Sequence, residues 1–301
     1  GKDNYNGFNV DASKGAVVNI TGGKFECVAN AIVVDAYGSS ETLVNISGGE
    51  FSNTSTTANL LLVWPWDNAN AIAADNNVKL NIEGGEFNCA GEGKLFGIID
   101  ENGNELANAS EIVNVSGGEF NQAIAASYCA EGYVPVDNGN GSYGVREGVF
   151  VAEVNGTKYE SLAEAIAAAN AGDVITLISN IDLGSSTVVV PAGKDVILDL
   201  NGMIVSGVCN KNQGIMISVA NNAKLTVKDT SENESGKITY AQGTSNVGFA
   251  VHVEGDLVLE SGTIELTGSW SLGFAVDVRP NAWGTAYTKP TTFVMNGGKV
   301  V

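Results

Sequence analysis

The sequence predicts an all-β repeat array, a solenoid, and three observations lead there. A strand-and-turn phrase, apolar-x-apolar-x-Gly-Gly-x-apolar, recurs at residues 18–25, 44–51, 80–87, 113–120 and 293–300. A second phrase runs alongside it, at 7–11 (Gly7-Phe8-Asn9-Val10-Asp11), 31–35, 71–75, 248–252 and 273–277 (Gly273-Phe274-Ala275-Val276-Asp277). The 301 residues hold 38 Gly and 5 Pro with 44% hydrophobic and only 16% charged residues, the profile of a turn-rich β protein, because Gly supplies the positive φ that tight turns need.

Repeats with periods of roughly 20 to 50 residues indicate units that bury their apolar faces only against their neighbours. Gly22 and Gly48 are 26 residues apart. Four residues from Gly297 to the chain end and 22 more to Gly22 give the same 26-residue step through the joined termini. The first and last repeats are therefore expected to adjoin, as though the chain were a cut through a continuous stack.

In chain order, residues 1–130 are predicted to be coils, each short strand alternating apolar and polar residues so that one face is buried. In the Gly-Gly phrase the aromatics Phe51, Phe87 and Phe120 return to the core, where stacking of equivalent positions brings them together. The Gly-Gly steps widen to 36 residues between Gly48 and Gly84 and 33 between Gly84 and Gly117, so the extra residues are loops. Residues 131–148 read as a hairpin connector around the Asn138-Gly139-Asn140-Gly141 turn. Residues 149–301 read as the start of a second solenoid. Its helix is predicted over 161–171, with Ser161 and Glu164 as a capping box, Leu162, Ala165 and Ile166 as the apolar stripe and Gly172 as the stop. Such a helix suits a terminal cap, which an open stack needs at its ends.

A net charge of −19 argues against nucleic acid and anionic membrane surfaces as partners, since their phosphates would be repelled. No apolar run approaches the ~20 residues of a membrane helix, so membrane insertion is not expected. Cys27, Cys89, Cys129 and Cys209 lack metal-type spacing and disulfide-scaffold density. Cys27 and Cys89 occupy equivalent places two phrases apart, ~10 Å at ~4.8 Å per coil, beyond disulfide reach, and are read as small core residues.

Three segments carry a resemblance: residues 131–145, Tyr159-Glu160-Ser161-Leu162-Ala163-Glu164-Ala165-Ile166, and Pro191-Ala192-Gly193-Lys194 ahead of Leu198-Asp199-Leu200-Asn201-Gly202. Through them the chain resembles the right-handed parallel β-helix, pectate-lyase-like repeat domains of large surface proteins of Gram-positive anaerobic bacteria. The resemblance covers nearly the whole chain. It implies a right-handed parallel β-helix in which the helix is an N-terminal cap in mid-chain, and it implies display at the cell surface or secretion.

Lyase chemistry on such coils needs a strong base. Arg146 and Arg279 are the only arginines and His252 the only histidine; Arg279-Pro280 departs from the Arg-x-Pro-x-x-Arg element of the lyases, and the adjacent-Asp and His-Gly elements of related hydrolases are absent. No catalytic residue is assigned. Asp11, Asp35, Asp75 and Asp277 fall at one outward position of the second phrase, where coil stacking would set like charges ~4.8 Å apart. His252, one coil before Asp277, is placed to pair with it, and Ca²⁺ is the one cofactor considered for the rest. Asp100 opens an oxygen-rich run (100–105) read as a polar turn with some likeness to a Ca²⁺ loop. Asn19, Asn45, Asn81 and Asn114 should form an amide ladder. Trp64, Trp66, Trp270 and Trp283 sit in the longer coils, where indoles either pack on the flank or meet a sugar or protein.

The expected function is that of an extracellular, non-enzymatic structural protein whose units stack head to tail into a fibre or stalk. Phe8 and Val10 would lie on one side of the joint and Phe293, Met295 and Val300 on the other. A monomeric adhesin or glycan-binding module using the tryptophans is the alternative, and a polysaccharide lyase or hydrolase a weaker third reading.

Overall fold

The computed structural model describes residues 6–11, 15–35, 41–64, 78–100, 102–279 and 290–301, with the side chain of Asp11 outside that set. The chain divides into two compact units, Gly1–Gly148 and Val149–Val301. Both are predominantly β, and parallel pairing prevails. No described helix is long and apolar enough to cross a membrane.

In the first unit the strands are β1 (Phe8–Asp11), β2 (Ala16–Cys27), β3 (Ile32–Asp35), β4 (Thr42–Asn53), β5 (Leu61–Trp64), β6 (Val78–Asn88), β7 (Phe96–Ile98), β8 (Val113–Val115) and β9 (Glu119–Phe120), with the one-turn helix α1 (Ala109–Ile112) before β8. They alternate between a parallel sheet ordered β1-β3-β5-β7 and a second one in which β2, β4 and β6 lie side by side and β8 and β9 both pair with β6. The Gly-Gly step lies inside β2, β4 and β6, where the register slips before pairing resumes at Lys24↔Glu50↔Glu86 and continues at Phe25↔Phe51↔Phe87. The hairpin β10 (Tyr133–Asp137) and β11 (Tyr143–Glu147) closes this sheet by antiparallel pairing of β11 with β9. Pro135 is tolerated because β10 is an edge strand and its missing N–H costs no ladder bond there.

In-register pairing puts like on like. Rings of Phe25, Phe51, Phe87 and Phe120 stack with centroids 4.8, 4.8 and 4.9 Å apart. That spacing is the inter-strand distance, so the backbone ladder imposes the face-to-face geometry that isolated rings would offset. Outside, Asn45 Nδ2 donates to Asn19 Oδ1 at 2.9 Å, Asn81 to Asn45 at 2.8 Å and Asn114 to Asn81 at 3.4 Å, which is the amide ladder. The β3 neighbour in the next pass is β5, with Asp35 opposite Trp64. The 71–75 phrase, Asp75 included, lies outside the described residues.

The second unit opens with antiparallel β12 (Ala152–Val154) and β13 (Thr157–Tyr159), and β12 also runs antiparallel to β14 (Val174–Leu177). Between them α2 (Leu162–Ala168) buries Leu162, Ala165 and Ile166, and Ser161 Oγ accepts from the Glu164 N–H. The helix stops at Ala168, short of the predicted Ala171, because Lys194 Nζ takes the Ala167 and Ala169 carbonyls and Asp173 binds the Asn170 amide. Then the chain visits three parallel sheets in cyclic order. The first holds β14, β17 (Asp195–Asp199), β20 (Lys224–Lys228), β23 (Asp256–Leu259) and β26 (Thr292–Met295). The second holds β15 (Ile181–Asp182), β18 (Ile204–Cys209), β21 (Lys237–Gln242), β24 (Thr263–Thr267) and β27 (Lys299–Val300), and the third β16 (Val188–Val190), β19 (Gly214–Val219), β22 (Val247–Val253) and β25 (Leu272–Val278).

Two carboxylates hold a bend of this unit. Asp229 is buried and accepts from the backbone N–H groups of Gly202, Ser231 and Gly236. Burial pushes its pKa up, but those N–H bonds outweigh burial and hold it below the usual carboxylate value. Asp199 receives the Asn201 and Thr230 amides and the Thr230 hydroxyl. This explains the positive φ of Asn201 (46°) and Gly202 (78°) between them: the tight turn aims its N–H groups at buried oxygens.

Replacing Phe87, fully buried between two ring neighbours, by Ala is expected to cost about 3–5 kcal/mol, read by denaturant unfolding. Because the folded-state pKa of Asp229 is depressed, its contribution is complete above the unfolded value of about 3.9 and disappears as pH falls through the folded value. Asp229→Asn is expected to unfold more easily at neutral pH and to lose less additional stability in acid, measured as Tm between pH 7 and pH 2.

Candidate functional site

Among the strands paired on one side only are β1 and β2 at one end of the first unit and β25, β26 and β27 at one end of the second. Apolar positions buried in inner strands emerge at these edges. Met295 is 48% exposed where its neighbour Leu259 is 0%, Phe274 43% where Phe249 is 5%, and Val300 39% where Ile264 is 0%. Phe8 is exposed where Ile32 and Leu61 are buried. Val10 is buried and Phe293 half-buried.

The glycines record the same thing. A Cβ added to Gly48, Gly84, Gly117 or Gly297, the first glycine of its pair, would lie 2.8, 2.6, 2.1 or 2.3 Å from the carbonyl oxygen of Thr21, Ser47, Glu83 or Glu260 in the preceding strand. Only glycine permits that approach. At Gly22, the equivalent residue of β2, a Cβ would meet nothing within 4 Å. Gly22 marks the 26-residue step in the sequence but was not among the residues assigned to the joint, and the exposed Leu272, Val278 and Val294 were not singled out; the signal available was their equivalence to inner-strand positions.

In the first unit a groove of about 660 Å³ crosses the outer face of β1, β3 and β5. Trp64 Nε1 donates to Asp35 Oδ1 at 3.0 Å, and Asn9 Nδ2 donates to Asp35 Oδ2 at 3.0 Å. Val33 and Leu62 form its apolar floor, and Asn30, Ser55 and Thr57 stand along a wall. Of the predicted tryptophans, Trp64 is thus joined to predicted Asp35. Trp66 and Trp283 lie outside the described residues. Trp270 packs on Tyr240 with its Nε1 bound to the Thr267 carbonyl, a flank role.

In the second unit His252 Nδ1 lies 2.7 Å from Asp277 Oδ2, Arg279 Nη2 is 3.0 Å from Asp277 Oδ1, and the guanidinium sits over the Phe249 ring. The sequence-based pairing of His252 with Asp277 holds, and the Arg279 guanidinium binds the other carboxylate oxygen. Asp100 binds the Asn102 and Asn104 amides within its own turn, chiefly the latter holding its pKa low. Among the described residues no group of three or more His, Cys, Asp and Glu is arranged to hold a metal. Asp11, whose side chain is not described, pairs through its backbone with Asp35. All four cysteines are free, with Cys89 and Cys209 buried.

No protein-family description, curated protein or solved structure matches this chain.

Proposed function

We propose that the two units are stretches of right-handed parallel β-helix and that the protein is a non-enzymatic structural element whose copies join head to tail into a fibre or surface stalk outside the cell. The observation that carries this reading is Gly22. Its counterparts are glycines because the backbone of the preceding strand crowds them, and Gly22 has the same residue type with that neighbour missing. A second copy supplies it. Aligning the repeated phrases sets Val18 on Phe293, Ile20 on Met295 and Phe25 on Val300, with Phe8 on Phe274 and Val10 on Val276 in the neighbouring sheet. The Asn296 carbonyl would then face Gly22 as Thr21 faces Gly48.

The handedness follows from the strong preference of parallel crossovers. Open strand edges supply hydrogen bonds along the joint, and the two edges are different surfaces, so the contact is heterologous and propagates instead of closing. At the opposite end of each unit, one sheet is finished by antiparallel strands. Antiparallel β10 and β11 end the first unit, and β12, β13 and α2 begin the second. Two like-charge oppositions work against the joint: Lys299 would lie opposite Lys24, and Asp11 opposite Asp277, which already lies against His252 and Arg279. The two lysines are exposed, so their opposition costs only a few tenths of a kcal/mol.

Electron microscopy with sedimentation at increasing concentration is expected to show end-to-end filaments, and denatured mass tells whether successive copies share one chain. Gly22→Ala is expected to leave Tm unchanged and to weaken association about tenfold or more, at least ~1.4 kcal/mol, whereas Gly48→Ala should destabilise the fold itself. Met295→Lys should act like Gly22→Ala from the other side. Added salt should strengthen association, because each copy carries a net charge of −19 and screening weakens that repulsion. Discrete monomers at every concentration would refute the reading.

A further inference from the structure

We propose that the groove across β1, β3 and β5 is a binding site for a neutral, pyranose-based oligosaccharide. Its volume of about 660 Å³ falls within the ~300–1,000 Å³ of small-molecule sites. The argument concerns the first unit alone and is independent of the head-to-tail joint.

The lining combines what a sugar ring needs. Sugars present hydroxyls around the ring edge and C–H groups on the ring face, so a receptor needs fixed planar polar groups beside an apolar or aromatic surface. Asp35 is the centre of the polar set. Each of its oxygens accepts one bond within the protein, from Trp64 Nε1 and from Asn9 Nδ2, and a carboxylate has about four lone-pair sites, so acceptor capacity remains on both. The same two bonds lock the half-buried indole and the Asn9 amide in place, so little side-chain freedom is lost on binding. Asn30 is likewise held, its Nδ2 donating to the Asn59 carbonyl at 2.6 Å. Ser55 Oγ, which accepts from the Ala58 N–H at 3.2 Å, still carries a hydroxyl proton to donate. Leu62 and the indole of Trp64 offer the apolar surface.

Charge selects within the sugars. Among the described residues the groove is lined by one carboxylate and by no lysine or arginine, in a chain of net charge −19. Uronates, sialylated or phosphorylated glycans would bring an anion against Asp35 with no cation among the described lining to receive it. Neutral and N-acetylated sugars carry no such cost, and their hydroxyls and amides match the acceptors and donors present.

The test titrates the whole chain, by calorimetry and tryptophan fluorescence, with cello-, laminari-, manno- and N-acetylchito-oligosaccharides, and with oligogalacturonate as the anionic comparison. Saturable binding of at least one neutral oligosaccharide is expected, with none for oligogalacturonate. Trp64→Ala is expected to raise Kd about tenfold or more, and Asn9→Ala, at an exposed rim position, to raise it with Tm unchanged. The Asn9 variant keeps the test valid should Trp64→Ala disturb folding. Repeating the titration with Met295→Lys, which lies in the other unit, should give unchanged affinity whether or not that variant assembles. The proposal is overturned if no neutral oligosaccharide binds at millimolar concentration, if only oligogalacturonate binds, or if binding is indifferent to both groove substitutions.

Discussion

Parallel hydrogen bonding between strands about one repeat apart is the constraint on which the rest depends. Each strand can satisfy its backbone only if its neighbour lies ~4.8 Å away in register, and that requirement propagates to the side chains. Phe51 lies on Phe25 and under Phe87 because the backbone places them there. The same register lines up Asn19, Asn45, Asn81 and Asn114 outside, where an amide both donates and accepts and so can repeat without an unsatisfied group. A carboxylate cannot repeat that way. Asp11 and Asp35 are register neighbours, and beyond that pair other residues stand beside the aspartates: Trp64 next to Asp35, and His252 next to Asp277.

Stacking of this kind has a consequence at its ends. An inner strand is paired on both sides, and its apolar residues are sandwiched; an outermost strand offers half of each. Each unit meets this on one side with antiparallel strands, aided in the second unit by α2 and its buried Leu162, Ala165 and Ile166. On its other side each unit keeps the unmodified repeat, down to the glycines. Gly22 and Met295 look odd in isolation and ordinary as members of an uninterrupted series. The proposed joint and the proposed groove therefore draw on different aspects of one ladder: the first on its unfinished edges, the second on the outward residues that three neighbouring strands bring side by side.

Much of the fold was legible in the residues themselves, since the Gly-Gly phrase marks β2, β4 and β6, the Ser161/Glu164 pair marks the start of α2, and the Asn138-Gly139-Asn140-Gly141 turn marks the β10–β11 hairpin. These are local signals, in which a side chain caps its own helix or a glycine permits its own turn. Strands of the second sheet in the second unit, such as β18 (Ile204–Cys209) and β21 (Lys237–Gln242), were not singled out, because Gly207, Thr239 and Tyr240 blur the alternation that marks a half-buried strand. That Leu61–Trp64 pairs with β3 was not legible for a related reason: repeat length varies there, so spacing alone does not name the neighbour of Asp35.

The sequence by itself determined that the chain is a β-rich repeat protein, which positions face inward, and that helix and hairpin interrupt the series at mid-chain, because period and alternation express burial directly. Only the tertiary structure decided that Trp64 stands beside Asp35, that Asp229 is a buried acceptor of three backbone amides, and that Gly22 faces open space. Those facts depend on which segments become neighbours across tens of residues, and that is settled by the register of strand pairing, which no local pattern encodes.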